Sequence, residues 1–302
     1  MAVAEAPTGR AAAGLDSLEL PVRVTKRPLS RRIAAVALPK LAALAVVLLL
    51  WELVVLSHIE PDYIIPSPLD VLRGQQSPFG LNPGLIQEWQ NGTILTAIWS
   101  SVSHAVIGYA LAVAVGTPFG LALGRVPALR TAVGSLISAL QTLPSVVWVP
   151  FAIVIFGLSS GMLYFVVIMG SFPSVVNGMK SAVDQVQPLL IRVGRSMGAS
   201  GPKLWRHVII PAAMPGYVAG LRQAWAFSWR SLMAAEIVAT SVHAAGNGLG
   251  TIVEDGGDTN SMTLVITGIL LILLVGLAAD ALVFNPLDRI VRQRRGLIAE
   301  DA

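Results

Sequence analysis

The sequence predicts an all-α polytopic membrane protein with six transmembrane helices, on the evidence of its composition and its long apolar stretches. Of the 302 residues, 54% are hydrophobic and 13% are charged, and the mean hydropathy is +0.71. A soluble domain of this length cannot bury so much apolar surface. A helix needs roughly 20 apolar residues to cross a hydrocarbon core of about 30 Å. Six stretches meet this length: 33–57, 93–123, 132–156, 161–179, 213–240 and 262–285.

The distribution of charge predicts the orientation of these helices, because basic residues are enriched in the cytoplasmic segments of membrane proteins. Basic residues precede the first span and follow the last one: Arg23, Lys26, Arg27, Arg31, Arg32, Arg289, Arg292, Arg294 and Arg295. They also occupy the loops that would then lie inside: Arg125, Arg130, Lys180, Arg192, Arg195, Lys203 and Arg206. The loops at 58–92 and 241–261 instead carry acidic residues and a lone basic residue, Arg73. Both ends of the chain are therefore predicted to be cytoplasmic.

This topology predicts a multi-pass protein of the plasma (inner) membrane. The chain divides into a cytoplasmic tail at 1–32, a first helix at 33–57, an external loop at 58–92, a core at 93–285 and a second cytoplasmic tail at 286–302. The prolines and glycines of the external loop predict an irregular or short-helical cap. Because the basic residues cluster around the apolar spans, they favour contact with membrane lipid over nucleic acid.

Several function classes lack the residues that they need. The chain contains no cysteine, and its four histidines have no metal-ligand spacing, so no metal site is predicted. No lysine follows a glycine, so the chain has no P-loop with which to bind ATP. An intramembrane hydrolase would need paired catalytic groups, yet Ser171 has no evident histidine partner and Glu236 has no second acid near it in sequence.

The third span carries two prolines beside a group of polar and aromatic residues. Pro144 and Pro150 each remove a backbone donor and are expected to kink the helix. A kinked helix with polar side chains suits the wall of a translocation pathway. Ordinary helix packing remains the alternative, because small and hydroxyl residues also mediate close contacts between spans. The pathway residues predicted here are Gln141, Thr142, Ser145 and Trp148.

The fifth span contains the charged residues Arg222, Arg230 and Glu236. Arg222 can extend to the inner interface, whereas Arg230 lies about 12 Å further along the helix and near mid-depth. Arg230 and Glu236 are about 240° apart around the helix and cannot form a same-face pair. We expect both to line the pathway, with Arg230 binding an anionic substrate. A structural ion pair between helices or subunits is the alternative for Arg230.

The predicted inner loop at 180–212 has the pattern of a helix-turn-helix protrusion. Its apolar residues recur every three or four positions, as in short amphipathic helices. Gly198 follows the first of these helices at the position of a stop, and Ser200 can cap the second, with Pro202 in its first turn.

At this loop the chain resembles the membrane subunits of binding-protein-dependent ABC importers. The family pattern places E-A-A three residues before a glycine, with an aliphatic pair and a proline further on, and G-A-S-G-P-K-L-W-R-H-V-I-I-P at 198–211 fits its second part. Three other patches match the nitrate, sulfonate and taurine branch: I-I-P-S-P-L-D-V-L at 64–72, L-P-S-V-V-W-V-P-F at 143–151 and W-R-S-L-M-A-A-E at 229–236. The resemblance covers about 45–290 of the chain.

The resemblance implies a type I ABC importer permease fold and a subunit that performs no chemistry itself. It implies two separate ATPase subunits that bind ATP and Mg, a second copy of this permease as a homodimer, and an external substrate-binding protein. It also implies that the loop couples the permease to the ATPase. The residues expected to do so are Arg195, Gly198, Ala199, Ser200, Lys203, Leu204, Arg206 and Pro211.

One departure from the family pattern concerns charge. Where the family has E-A-A, this chain has Arg192, Val193 and Gly194, so the usual acidic contact with the ATPase is missing and basic residues could meet acidic groups on the partner instead. Among cargoes, sulfonate is the first choice, and nitrate, taurine, bicarbonate or an aromatic or pyrimidine precursor stay open. A secondary carrier or channel is the alternative, but the expected internal repeats and proton relay are not seen in the sequence.

Overall fold

The computed structural model describes residues 29–57, 61, 64–77, 80–240 and 248–295. It divides into two units, one ending at Val54 and the other beginning at Val55. Most of the predicted tail at 1–32, the end of the second tail and parts of both predicted external loops lie outside the described residues. Helix α1 (Leu29–Leu56) has 28 residues and matches the first predicted span.

The predicted external cap contains two short helices and a β-hairpin. Ser67 caps α2 (Pro68–Arg73): its hydroxyl accepts a hydrogen bond from the Asp70 backbone N–H, and the Asp70 carboxylate accepts one from the Ser67 N–H. Strands β1 (Gly74–Ser77) and β2 (Gly80–Pro83) then pair antiparallel, and α3 (Leu85–Gln90) leads into the next long helix. The short helices were expected, whereas the hairpin was not.

Three long helices form the centre of the second unit: α4 (Thr93–Arg125), α7 (Ser160–Asp184) and α10 (Ile210–Thr240). Small residues let these helices approach closely, as is common between membrane helices. A Cβ added to Gly120 of α4 would lie 2.7 Å from the Val176 carbonyl oxygen of α7, and one added to Gly220 of α10 would lie 2.7 Å from the Cα of Gly178. No role was predicted for these glycines.

The third predicted span, 132–156, is broken rather than continuous. Helix α5 (Pro127–Thr142) and the segment Ser145–Phe156 are bent by 94° relative to one another. The segment consists of a 3₁₀ turn, Ser145–Val147, and α6 (Trp148–Phe156). The break falls at Leu143 and Pro144, because a proline has no N–H and forces the preceding residue out of the helical region. Pro150 lies in the first turn of α6, where a missing donor costs little, and α6 continues past it to Phe156 without a second break.

The fifth predicted span, 213–240, begins earlier in the structure than expected. Helices α8 (Pro188–Ser196) and α9 (Gly201–Leu204) form the predicted helix-turn-helix protrusion. From α9 the chain continues through a π-helical turn, Trp205–Ile209, directly into α10. Pro211 therefore lies inside a continuous helical segment, next to the type of irregular turn that often accompanies a lost backbone hydrogen bond.

The predicted external loop at 241–261 contains a helix, α11 (Leu249–Asp258), which corrects the expectation of a loop there. Five of its residues are buried: Leu249, Gly250, Thr251, Ile252 and Gly256. It packs against α10 and α12 (Met262–Ala279). A second π-helical turn, Asp280–Phe284, joins α12 to α13 (Asn285–Gln293), so the last helical segment extends into the predicted tail.

Length and apolarity identify four spans among the described helices: Leu38–Leu56, Thr93–Arg125, Ser160–Asp184 and Met262–Gln293. The bent α5–α6 pair makes a fifth if it is taken as one span. Helix α10 has 31 residues, about 46 Å of helix, but its charged residues make it less apolar than the others. The expected all-α polytopic architecture is confirmed, with six helical segments in the predicted order.

Candidate translocation site and coupling hairpin

A cavity of about 300 Å³ lies beside the break at Pro144, between α5, α7 and α10. Four of the six predicted pathway residues line it: Gln141, Thr142, Ser145 and Arg230. The broken helix supplies the first three, since the turn at Leu143–Val146 directs backbone and side chains into the cavity wall. We call this space the polar cavity.

Helix contacts next to the polar cavity hold its walls in place. The Gln141 amide oxygen accepts a hydrogen bond of 2.7 Å from the Asn177 side chain of α7. On the other side, α7 and α10 touch at Gly170 and Ser231, where an added Cβ on the glycine would lie 1.9 Å from the serine hydroxyl oxygen. The glycine is therefore needed for α10 to bring Arg230 to the cavity.

Arg230 is exposed and lines two cavities. Its Nε donates a hydrogen bond of 3.0 Å to the Ala226 carbonyl oxygen, and its guanidinium carbon lies 4.7 Å from the centre of the Phe227 ring. The second cavity, about 560 Å³, lies between α10 and α12 and is walled by Trp225 and Trp229. Within the described part of the chain, Arg230 forms no ion pair.

Two other arginines are paired across helices. Arg222 of α10 bonds to Asp280 in the turn after α12, and Arg130 of α5 bonds to Asp184 at the end of α7. Arg222 was expected near the inner interface, but neither aspartate partner was predicted. Nothing local in the sequence marks these pairs, because their members are 58 and 54 residues apart.

Trp148 and Glu236 do not line the polar cavity, contrary to the expectation that they share a pathway with Arg230. Trp148 lies after the bend and packs edge-to-face against Phe151 and Phe165, at ring-centre distances of 6.1 and 6.4 Å. Glu236 is 2% exposed and faces α4 and α11. Glu236 faces away from the polar cavity because the helical repeat places it about 240° around α10 from Arg230.

The helix-turn-helix protrusion, residues 188–209, is called the hairpin from here on. As predicted, α8 ends just before Gly198, whose φ of +85° lies in the left-handed region that favours glycine. The Gly198 N–H donates to the Arg195 carbonyl oxygen at 2.9 Å, and the Ala199 N–H donates to the Gly194 carbonyl oxygen at 3.0 Å, which together form a Schellman motif. Ser200 occupies the cap position of α9, but its hydroxyl makes no capping bond there.

The packing inside the hairpin explains why residue 194 is a glycine. A Cβ on this residue would lie 2.9 Å from Val208 and 3.1 Å from Leu204, so its two helices meet without room for a side chain. Five predicted coupling residues line a surface cavity of about 460 Å³ on the hairpin: Arg195, Gly198, Ala199, Ser200 and Leu204. Lys203 and Arg206 are exposed outside that cavity, and Pro211 lies beyond the hairpin in α10.

Trp205 is a residue of the hairpin for which no role was predicted. It lines the hairpin cavity, and the Arg125 guanidinium carbon at the end of α4 lies 5.8 Å from its ring centre. This cation–π contact joins the hairpin to α4. A tryptophan within the predicted cytoplasmic loop is the signal that could have identified it.

With this geometry established, comparisons with known proteins assign the family. A family model described as the binding-protein-dependent transport system inner membrane component matches residues 116–291. The match covers more than half of the chain, which therefore belongs to this family of ABC importer permeases. The resemblance inferred from the sequence motifs is confirmed, and so is the prediction of a multi-pass protein of the inner membrane.

The relatives cover most of the chain. An ABC transporter permease protein of Methanocaldococcus jannaschii is 30% identical over 240 residues, 80% of this chain and 85% of its own length. The taurine transport system permease protein of Escherichia coli is 27% identical, covering 82% and 85%. A nitrate import permease protein of Synechococcus elongatus is 28% identical, covering 86% and 95%. A bicarbonate transport system permease protein of Synechocystis is 27% identical, covering 80% and 85%.

A solved structure supports the type I fold. The permease chain in an inward-facing structure of the methionine ABC transporter MetNI superposes with a TM-score of 0.56 and 22% identity. The match covers 69% of this chain and 99% of that chain.

Within the residues that the structure describes, no group of three or more His, Asp or Glu side chains could hold a metal ion.

Proposed function

We propose that this permease lets a small oxyanion cross the membrane, with a sulfonate as the first choice, and that Arg230 binds it. The carrying observation is the position of Arg230, a guanidinium on the polar cavity without a carboxylate partner among the described residues. A charge at membrane depth costs about 2.5–3.5 kcal/mol on insertion scales and is retained where it has a use. The planar guanidinium fork matches the oxygens of a sulfonate, nitrate or carboxylate.

The relatives support a cargo of this chemistry. Their names concern taurine, nitrate and bicarbonate, which share a compact group with several acceptor oxygens. The polar cavity adds the Gln141 amide and the Ser145 hydroxyl, which can donate to such oxygens, whereas the Thr142 hydroxyl already donates to the Ala139 carbonyl oxygen. The aromatic walls of the larger cavity, beyond Arg230, would accept the short apolar part of an organic sulfonate.

The experiment is uptake into proteoliposomes that contain the complete importer, with labelled taurine, nitrate and bicarbonate as probes. We expect Arg230→Gln to lower uptake about 100-fold while the complex still assembles, because the charge-assisted fork is lost. Arg289→Gln, the same change at an exposed arginine of α13 that lines neither cavity, is the matched control and should retain uptake within about twofold. Loss of assembly in Arg230→Gln would instead assign the arginine to a structural ion pair.

For the energy source, the proposed partners are two separate ATPase subunits that bind ATP and Mg and dock on the hairpins of two identical permeases. An external binding protein would deliver the anion. The hairpin is suited to a partner that presents carboxylates, since its exposed charges are all basic: Arg192, Arg195, Lys203 and Arg206. Segment 188–211 contains no acidic residue, which inverts the charge of the family's E-A-A pattern. Helix α8 also exposes an apolar row, Leu189, Val193 and Met197, beside these charges.

Gly198 offers a test of this docking. Among the described residues, and apart from the two chain neighbours of Gly198, no atom lies within 4 Å of a Cβ added there, so a side chain at this position would project away from the hairpin. We expect Gly198→Trp to leave the protein inserted but to separate ATP hydrolysis from uptake. Gly198→Asn is the control, because asparagine tolerates the left-handed region and is smaller. Normal coupling in Gly198→Trp would contradict docking at this turn, and so would uptake by this chain alone without nucleotide.

A further inference from the structure

Glu236 is the most deeply buried charged residue among those that the structure describes, and it lies where three elements meet. The Ser101 hydroxyl of α4 lies 2.8 Å from each oxygen of its carboxylate and donates to it. The Gly250 backbone N–H of α11 donates to the same carboxylate at 2.9 Å. The Ser101 oxygen in turn accepts a hydrogen bond of 2.8 Å from the Leu249 N–H. Glu236 and Ser101 together therefore receive the first two N–H groups of α11.

These N–H groups need such partners. The first four N–H groups of a helix have no acceptor within the helix, and a buried donor left without one costs about 1–3 kcal/mol. A carboxylate at this end also interacts favourably with the helix dipole. The preceding Gly248 N–H is bound by the Thr251 hydroxyl at 3.0 Å. The N–H groups of Gly248, Leu249 and Gly250 are thus bound by the threonine of α11 itself and by side chains of α4 and α10.

The close approach of α11 to Glu236 depends on two glycines. A Cβ added to Gly248 would lie 2.5 Å from the Glu236 carboxyl carbon, and one added to Gly250 would lie 2.5 Å from the Glu236 Cβ. Atoms at those distances overlap, so any larger residue at either position would push the helix away from the carboxylate. The segment is therefore shaped to receive this glutamate.

We propose that Glu236 is a positioning residue that anchors the N-terminus of α11, so that α4, α10 and α11 move as one body during transport. The anchor lies one helical turn before Thr240, at the end of α10 that is predicted to be external. It faces away from the polar cavity and acts through the backbone of α11 rather than on the transported anion. The hydrogen bonds around Glu236 support this inference. Only its test by transport measurement rests on the proposed function.

The first experiment measures the position of α11 directly. The chain has no cysteine, so a single introduced cysteine reports on its own surroundings. Ile252 is 6% exposed in α11, whereas Gly257 of the same helix is exposed and has open space around it. In lipid nanodiscs, Gly257→Cys should react quickly with a maleimide and Ile252→Cys should be protected.

Removing the anchor should expose the buried position. In Glu236→Gln and, separately, in Ser101→Ala, we expect Ile252→Cys to react about tenfold faster or more, because loss of one buried hydrogen bond shifts an opening equilibrium by about that factor. Ser103→Ala is the matched control, since the Ser103 hydroxyl bonds only to the Ser100 carbonyl oxygen of its own helix among the described contacts. If Glu236→Gln does not fold, Ser101→Ala carries the test.

The second experiment separates anchoring from a role in the pathway. With labelled taurine and nitrate as probes, Ser101→Ala and Glu236→Gln should lower the maximal uptake rate several-fold and leave the apparent KM unchanged. Protection of Ile252→Cys in both variants would overturn the proposal, as would equal acceleration in Ser103→Ala or a raised KM with α11 still protected. Absence of any anion uptake by the unmodified importer would count against the proposed function and not against the anchor.

Discussion

The charged residues in the middle and at the end of α10 have opposite surroundings. Arg230 is exposed on two cavities and is held by the backbone of its own helix, whereas Glu236, six residues later, is buried and binds two other helices. Both residues would be costly in lipid, so each must face protein or water. The comparison shows that charge within a membrane helix does not by itself indicate a pathway. What distinguishes the two residues is whether the protein already satisfies the charge.

The largest difference between the two regions should be in stability. We expect Glu236→Ala to lower the free energy of unfolding by about 2–4 kcal/mol, because the Gly250 N–H and the Ser101 hydroxyl lose their acceptor in a buried site. Arg230→Ala should change it by less than about 0.5 kcal/mol, because the side chain is exposed. Reversible unfolding in mixed micelles checks both values. Equal losses of stability in the two variants would contradict the proposed difference between Glu236 and Arg230.

The next effect concerns the shape of the charge at Arg230. Arg230→Lys keeps the positive charge but replaces the planar fork by a flexible ammonium. We expect uptake of the preferred anion to fall about tenfold, equivalent to about 1.4 kcal/mol, with stability unchanged. Initial uptake rates over a range of anion concentrations measure it. Full activity of the lysine variant would show that the site needs charge without bidentate geometry.

The sequence predicted the features of α10 that depend on nearby residues. Its helical character and its end at residue 240 follow from its composition, and the end of α8 before Gly198 and the break at Pro144 follow from the local preferences of glycine and proline. The contacts of Glu236 could not be predicted in this way, because Ser101 lies 135 residues away and α11 falls in a segment that was predicted to be an external loop. The aspartate partners of Arg130 and Arg222 were missed for the same reason. Single-sequence patterns report local conformation, whereas the satisfaction of buried polar groups depends on which helices meet.

Arg222 provides an intermediate case on the same helix, and its variant should have the smallest effect. It is paired, as Glu236 is, but its side chain is 45% exposed and that of Asp280 is 35% exposed. Ion pairs in such surroundings contribute about 0–1 kcal/mol, since water and salt screen them. We expect Asp280→Asn to lower the free energy of unfolding by less than about 1 kcal/mol and to leave the apparent KM for the anion unchanged. A loss as large as that of Glu236→Ala would show that having a partner, rather than burial, decides how α10 tolerates charge. A raised KM would instead place the Arg222 end of the larger cavity on the route of the anion. Arg222 would then have to be counted with Arg230 among the charges that are available to the anion, although it already has a carboxylate partner.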